Sequence, residues 1–313
     1  MSGPLLRPLN RPRRLVEGDT VAVVATSGPV PADRLQRGVS VLESWGLTVR
    51  LGDHVFDADP VYPFLAGTDA DRAADLQRAW CDPDVAAVFV ARGGSGAARL
   101  IDRLDWAAMK AAGPTLLVGF SDVTLLAEAV ATRLGLASLF GPMPANPALA
   151  ELPPDAATVE HLRRTLFEPD AACVVFDEGA QCVVPGRARG VLVGGTLSLV
   201  RLAIGTAESR PANGGIAVLE DIGEVAYRLD NQLTHLLRTG WFDGVRGIVL
   251  GSWEDCGPDA QDSVSARLRE LDVPMVAGLP IGHCIPLLTV PLGLDAELDA
   301  DAGTLTLLTP ALL

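Results

Sequence analysis

The chain has 313 residues, 49% of them hydrophobic and only 5% aromatic, with 25 basic against 39 acidic side chains and a net charge of −14. That length favours two domains over one core, and the acidic balance opposes general nucleic-acid binding, because a phosphate backbone meets a repulsive field. No apolar run approaches the roughly 18 residues of a membrane span, and Arg7, Arg11, Arg13 and Arg14 precede no apolar core of signal-peptide length; the expectation is a cytoplasmic protein with no membrane partner.

The first half alternates between two periodicities. Val21–Ala25 is a short apolar run between Gly18-Asp19 and Gly28-Pro29, which predicts a buried parallel strand. From Pro31 the spacing of Leu35, Val39, Leu42 and Trp45 predicts a helix, and Leu47–Leu51 a strand. Asp69–Trp80 reads as helix, Ala86–Val90 as strand, Ala97–Leu104 as helix, Thr115–Phe120 as strand, Asp122–Leu134 as helix and Ser138–Gly141 as a last short strand. This βαβ rhythm predicts a doubly wound parallel sheet with helices on both faces over residues 1–145.

The rhythm stops after Pro142. Residues 146–189 hold repeated prolines, one helical stretch (Asp155–Phe167) and the polar run Asp177–Gln181, and read as a linker. Residues 190–313 hold shorter strands punctuated by Gly and Pro: Gly190–Val193, Ile216–Glu220, Gly247–Leu250, Leu287–Val290 and Thr304–Leu308. With helices at Val225–Thr239 and Asp262–Leu271, they predict a second, barrel-like α/β domain.

Several chemistries are disfavoured by what is missing. Lys110 is the only lysine and no G-x-x-x-x-G-K-[ST] occurs, which argues against P-loop, kinase and pyridoxal-phosphate chemistry. The cysteines (Cys81, Cys173, Cys182, Cys256, Cys284) form no C-x-x-C pair and suit a reducing compartment. The histidines (His54, His161, His235, His283) lack zinc-ligand spacing, so neither metal nor organic cofactor is expected.

Four segments are candidates for chemistry. In Leu116–Thr124 an apolar strand runs into Gly-Phe-Ser121-Asp122 and then a helix; Ser121 is either a plain N-cap or a nucleophile at the carboxyl edge of the sheet. Arg92-Gly93-Gly94-Ser95-Gly96 opens the helix after the third strand; it is either a tight turn or a nest of unmasked N–H groups for an anion. Glu220 ends an apolar strand, and His283 sits in the Gly/Pro-rich loop Gly278–Pro286. Either is open to a structural reading. Taken together, serine, carboxylate and histidine beside strand ends are the parts of acyl-transfer chemistry. On that reading the N–H groups of Asp122 and Gly94, with Gly93 as the replacement, are the expected oxyanion donors.

The order and spacing of these motifs resemble the LD-carboxypeptidase family of serine peptidases, which includes muramoyltetrapeptide carboxypeptidases and microcin-immunity peptidases. The resemblance runs from about Gly18 to Gly293 and rests on Arg92-Gly-Gly-x-Gly96, Gly119-Phe-Ser121-Asp122, Gly141-Pro142, Gly190-x-Leu-x-Gly-Gly195, Leu219-Glu220-Asp221, Glu224-x-x-Tyr227-Arg228-x-Asp230, Gly247–Gly251, and Gly282-His283 followed by Pro291-x-Gly293. It implies Ser121 as nucleophile, Glu220 as orienting carboxylate and His283 as base. It also implies a flavodoxin-like or glutamine-amidotransferase-like first domain, a barrel-like second domain and a homodimer. The substrate implied is a murein tetrapeptide that loses terminal D-alanine; the alternatives are an aminoacyl-nucleotide amide and a non-catalytic ligand-binding module. Members that hold a nucleotide are expected to stack its base on an inter-domain aromatic, for which only Phe167 and Phe176 are on offer. Two departures, Ser95 where many relatives carry Tyr and Thr196 where many carry Asn, are read as cleft positions that bear on specificity.

Overall fold

The computed structural model describes residues 3–176 and 179–313. The strands are β1 (Thr20–Val24), β2 (Thr48–Leu51), β3 (Val85–Val90), β4 (Leu116–Val118), β5 (Ser138–Phe140), β6 (Val174–Phe176), β7 (Gln181–Val184), β8 (Arg187–Thr196), β9 (Gly215–Ile222), β10 (Gly247–Glu254), β11 (Met275–Ala277), β12 (Val290–Leu292), β13 (Asp295–Asp299) and β14 (Thr304–Leu307). The helices are α1 (Ala32–Ser44), α2 (Asp69–Cys81), α3 (Trp106–Ala112), α4 (Thr124–Leu134), α5 (Pro147–Ala150), α6 (Ala156–Phe167), α7 (Leu197–Leu202), α8 (Ala226–Arg238) and α9 (Ala260–Leu268). The predicted helix at Ala97–Leu104 is a 3₁₀ segment, Ala97–Arg103.

Two sheets organise the molecule. The first has six strands in the order β12-β5-β4-β3-β1-β2, with β1 to β5 parallel. Their near-continuous apolar runs are what a sheet covered on both faces requires; every residue of β3 is buried. The chain order reverses between β1 and β3, and a doubly wound sheet opens a ligand crevice at the carboxyl ends of the strands there.

The second sheet has eight strands in the order β6-β14-β13-β8-β9-β10-β11-β7. It mixes parallel β8 to β11 with antiparallel pairs at both flanks. The two-part α/β organisation is as expected, but the barrel does not close. Among the described residues β6 and β7 are edge strands at opposite ends, and a barrel requires its first and last strands to pair. The stretch read as a linker is structured: α5, α6, β6 and β7 fall within 146–189. Asp155 caps α6 by accepting the Thr158 N–H at 2.8 Å. Of the polar run, Asp177 and Glu178 lie outside the described residues.

The chain passes between the two sheets three times, from β5 to β6, from β11 to β12 and from β12 to β13, and the second passage carries the His283 loop. After β11 the chain leaves the second sheet, runs through residues 278–289, and enters the first sheet as β12, antiparallel to β5. The strand expected at Leu287–Val290 thus starts at Val290 and belongs to the other sheet. Pro291 is accommodated because β12 is an edge strand. The loop carrying His283 is thereby tied to both sheets.

Candidate active site

Ser121 follows β4 after Gly119-Phe120. Its backbone is left-handed, φ +64°, a conformation that costs a non-glycine residue about 1 kcal/mol or more. It is not an N-cap: its side chain bonds no helix N–H. The turn instead lifts Oγ out of the sheet edge towards His283 Nε2, 3.0 Å away. The strain is held by its neighbours. Phe120 is 1% exposed, a burial that contributes about 2–3 kcal/mol, and it packs edge-on against Phe140 with centroids 5.7 Å apart. On the other side, buried Asp122 accepts the Ala97 N–H at 2.8 Å. Burial holds the Asp122 carboxyl above the usual range, against the hydrogen bonds from Ala97 and Ser27. Asp122 thereby locks the start of α4 to the Gly-rich turn.

Glu220 stands near the end of β9, opposite Thr196 of β8 in the parallel register. It is fully buried, where a carboxylate persists only if its oxygens are bonded. The Thr196 hydroxyl donates to Oε1 at 2.5 Å; His283 donates to Oε2 from Nδ1 at 2.7 Å and from its backbone N–H at 3.2 Å. That network assigns the imidazole tautomer: Nδ1 carries the hydrogen, and Nε2 accepts from the Ser121 hydroxyl. The Phe120 ring lies 4.9 Å from the imidazole centroid and fixes its tilt. The next residue, Asp221, is also buried; burial pushes its carboxyl up to about 6, although Ile222 N–H and Ser198 N–H and hydroxyl bond it.

Three residues predicted separately are therefore brought into one line, with the serine from the first sheet and the carboxylate from the second. Ser121 and His283 open onto a cleft of about 180 Å³, also lined by Pro31, Arg34, Arg92, Gly93, Gly94, Phe120, Met143, Ala145, Asn146 and Pro147. Gly93 lies against the serine: a β-carbon there would sit 2.9 Å from Ser121 Cβ and Oγ. No described residue accepts the N–H of Gly93 or Gly94.

The two departures fall differently from expectation. Thr196 is 2% exposed and serves Glu220, not the cleft. Ser95 is exposed on the Gly-rich turn, outside the cleft lining. The remaining histidines lie elsewhere. His161 of α6 accepts the Thr289 N–H on Nδ1 at 3.2 Å and donates from Nε2 to Val175 O at 3.1 Å. His54, Asp57 and Asp71 come within 4.8 Å of one another at the surface, a group that sequence spacing did not announce, and none of them lines the cleft. Arg34 and Asn146 were missed by sequence reasoning, since neither sits in a distinctive motif.

A model of the LD-carboxypeptidase N-terminal domain matches residues 21–141, and one of the LD-carboxypeptidase C-terminal domain matches residues 189–298. The chain belongs to the LD-carboxypeptidase family. It is a carboxypeptidase, and a serine nucleophile is consistent with the family. A Streptomyces coelicolor protein whose name places it among the carboxypeptidases is 54% identical over 310 residues, 98% of this chain and 99% of its own. The murein tetrapeptide carboxypeptidase of Pseudomonas aeruginosa is 34% identical over 299 residues, 90% of this chain and 93% of its own. The solved structure of a microcin C7 self-immunity protein in complex with aspartyl sulfamoyl adenosine has a TM-score of 0.87 at 24% identity, covering 97% of this chain and all of that one. That likeness shows the shared two-domain α/β fold. Among the described residues no helix is long and apolar enough to cross a membrane.

Proposed function

We propose that this enzyme hydrolyses the L,D amide bond of a murein tetrapeptide and releases terminal D-alanine, with Ser121 as nucleophile, His283 as base and Glu220 as its orienting carboxylate. The observation that carries the reading is the line of two hydrogen bonds, Ser121 Oγ to His283 Nε2 at 3.0 Å and His283 Nδ1 to Glu220 Oε2 at 2.7 Å, ending in an open cleft.

The chemistry follows from that line. Ser121 Oγ attacks the scissile carbonyl carbon while its proton passes to Nε2. The imidazolium is stabilised by its hydrogen bond to buried Glu220. The carbonyl oxygen gains negative charge, and the N–H groups of Gly94 and Asp122, with Gly93 as the replacement, are the proposed donors to it. The C–N bond then breaks as Nε2–H gives its proton to the leaving amine. Water, deprotonated by the same nitrogen, attacks the Ser121 ester, and the peptide acid departs with Oγ reprotonated. No step calls for a metal or an organic cofactor.

Two further points weigh on the substrate. Phe167 packs edge-on against Trp45, centroids 6.2 Å apart, and Phe176 is buried. Neither linker aromatic lines the cleft, which disfavours a stacked nucleobase. All five cysteines are unpaired, which suits a cytoplasmic enzyme acting on recycled wall peptides. A homodimer is part of this reading and is tested by light scattering.

The deciding experiment offers the enzyme a murein tetrapeptide, its L-alanine epimer and aminoacyl-sulfamoyl adenosine, with products identified by mass spectrometry. Release of D-alanine alone is the expected result. Cleavage of the sulfamoyl compound alone would assign the other substrate class. Binding without cleavage of any of them would make the protein a ligand-binding module.

A further inference from the structure

We propose that Arg34, with Arg92 beside it, anchors the free carboxylate of the residue to be released, so that the cleft selects for an unblocked C-terminus; this rests on the carboxypeptidase reading above.

The first observation is a local reversal of charge. The chain carries −14 overall, yet the cleft wall contains two guanidinium groups and no carboxylate. The acid nearest the chemistry, Glu220, is fully buried and hydrogen-bonded to His283, out of a ligand's reach. A cationic cleft on an acidic protein selects anionic ligands.

The second observation concerns partners. Asp33, the acid next to Arg34 in the chain, is taken by Arg37 at 2.9 Å. Among the described residues nothing accepts a hydrogen bond from the Arg34 guanidinium, and no carboxylate forms a salt bridge with it, while its backbone N–H bonds Asp33. Arg92 is half-buried; it donates from Nη1 to Pro29 O at 2.9 Å and has no acidic partner among the described residues. That single bond pins the guanidinium and leaves its other N–H groups available. A guanidinium presents paired donors matched to the two oxygens of a carboxylate.

The third argument is chemical. In a substrate cut before its last residue, the terminal carboxylate is two bonds from the departing nitrogen. Its binding group must therefore share a cleft with the nucleophile, as Arg34 and Arg92 do with Ser121. Arg34 stands in the first turn of α1 and is exposed, so its replacement leaves the core intact.

The test compares a tetrapeptide ending in free D-alanine with the same peptide ending in D-alanine amide. For the wild type, kcat/KM is expected to favour the free acid by about 10- to 100-fold, the range of a hydrogen-bonded charge. Arg34→Gln should lose most of that preference through KM while its rate on the amide stays within about twofold; Arg34→Lys should recover part, and Arg92→Gln should act in the same direction. Equal treatment of acid and amide by the wild type, or an equal loss on both in Arg34→Gln, overturns the proposal. A second arm measures calorimetric binding to Ser121→Ala and to Ser121→Ala/Arg34→Gln. Preference for the acid that disappears with Arg34 supports the anchor even where the wild type shows no turnover, in which case the hydrolytic reading alone fails. Failure of Ser121→Ala to bind the free acid at millimolar concentration overturns the anchor itself.

Discussion

Gly282 passes directly over the carboxylate of Glu220, so closely that a β-carbon on it would overlap Oε2. Its φ of +96° is also in the region that glycine alone enters without strain. Gly282→Ala is therefore expected to displace the next residue, His283, from both of its bonds to Glu220. A misplacement near 1 Å costs about 10²-fold in rate, so kcat should fall by that order while the circular dichroism spectrum is retained. An unchanged kcat would show that the loop has room this geometry does not allow.

The line of hydrogen bonds makes a non-additive prediction. Ser121→Ala and His283→Ala should each lower kcat by at least about 10⁴-fold, and the double variant should be little worse than either, because the groups act as a unit. Glu220→Ala should fall in the same direction. Activity should survive exhaustive chelation, because no step of the proposed mechanism calls for a metal. Single-turnover kinetics on each variant, with chelator present and absent, make the comparison; restoration of a chelated enzyme by added zinc would refute the serine mechanism.

Thr196 donates to the oxygen of Glu220 that His283 does not use. Thr196→Val leaves a buried carboxylate oxygen without a donor, a loss of about 1–3 kcal/mol. Melting temperature and kcat should both fall, and Thr196→Ser should recover both. A Thr196→Val variant with the melting temperature and kcat of Thr196→Ser would remove Thr196 from the site.

Two residues of α6 hold the far end of the loop that carries His283: Thr158 Oγ1 accepts the Leu287 N–H at 2.8 Å, and His161 accepts the Thr289 N–H. Burial lowers the His161 pKa below its ordinary 6.5, outweighing the bond to Val175 O, which raises it. The unfolded chain thus takes up this proton first as pH falls. The stability contributed is present above the unfolded value of 6.5 and is lost as pH drops through the folded one. His161→Phe should remove that acid-side slope and lower kcat through the loosened loop; urea unfolding at pH 5 to 8 gives the slope.

Glu128 of α4 contributes a slope of opposite sign. It is 5% exposed, and burial pushes its carboxyl from 4.5 up to about 7, while Arg210, 3.6 Å away, pulls it down. The folded protein holds this proton more tightly than the unfolded chain. Its contribution is full below pH 4.5 and lost as pH rises to about 7, a change of about 3 kcal/mol. Glu128→Gln should flatten the pH dependence across that window. The readout is the slope and not the level, because the amide leaves Arg210 without its carboxylate; an unaltered slope would place the titration elsewhere.

The parallel half of the fold was legible because a strand buried on both faces must be a continuous apolar run. Val21–Ala25 and Ala86–Val90 show this without any knowledge of their neighbours. Ser121, Glu220 and His283 were legible one at a time, as polar residues at the ends of such runs or in a Gly/Pro loop, and as a set through motif order. Their joining was not. It depends on β12, three residues containing a proline, pairing with β5 about 150 positions earlier; so short a segment has no periodicity, and nothing local names its partner. The same limit hid the open edges of the second sheet, since closure depends on which strands end up adjacent. Thr196 was placed in the cleft only through the family resemblance, as a departure from Asn; its pairing with Glu220 across the β8–β9 register is a long-range contact that local sequence does not show. Arg34 was missed, because the helix period of Leu35, Val39 and Leu42 marks the buried face of α1 and does not tell whether a residue off that face meets solvent or a cleft. Local periodicity encodes burial, which each segment decides for itself; the active site is made of contacts between segments far apart in the chain, and only packing in three dimensions selects those.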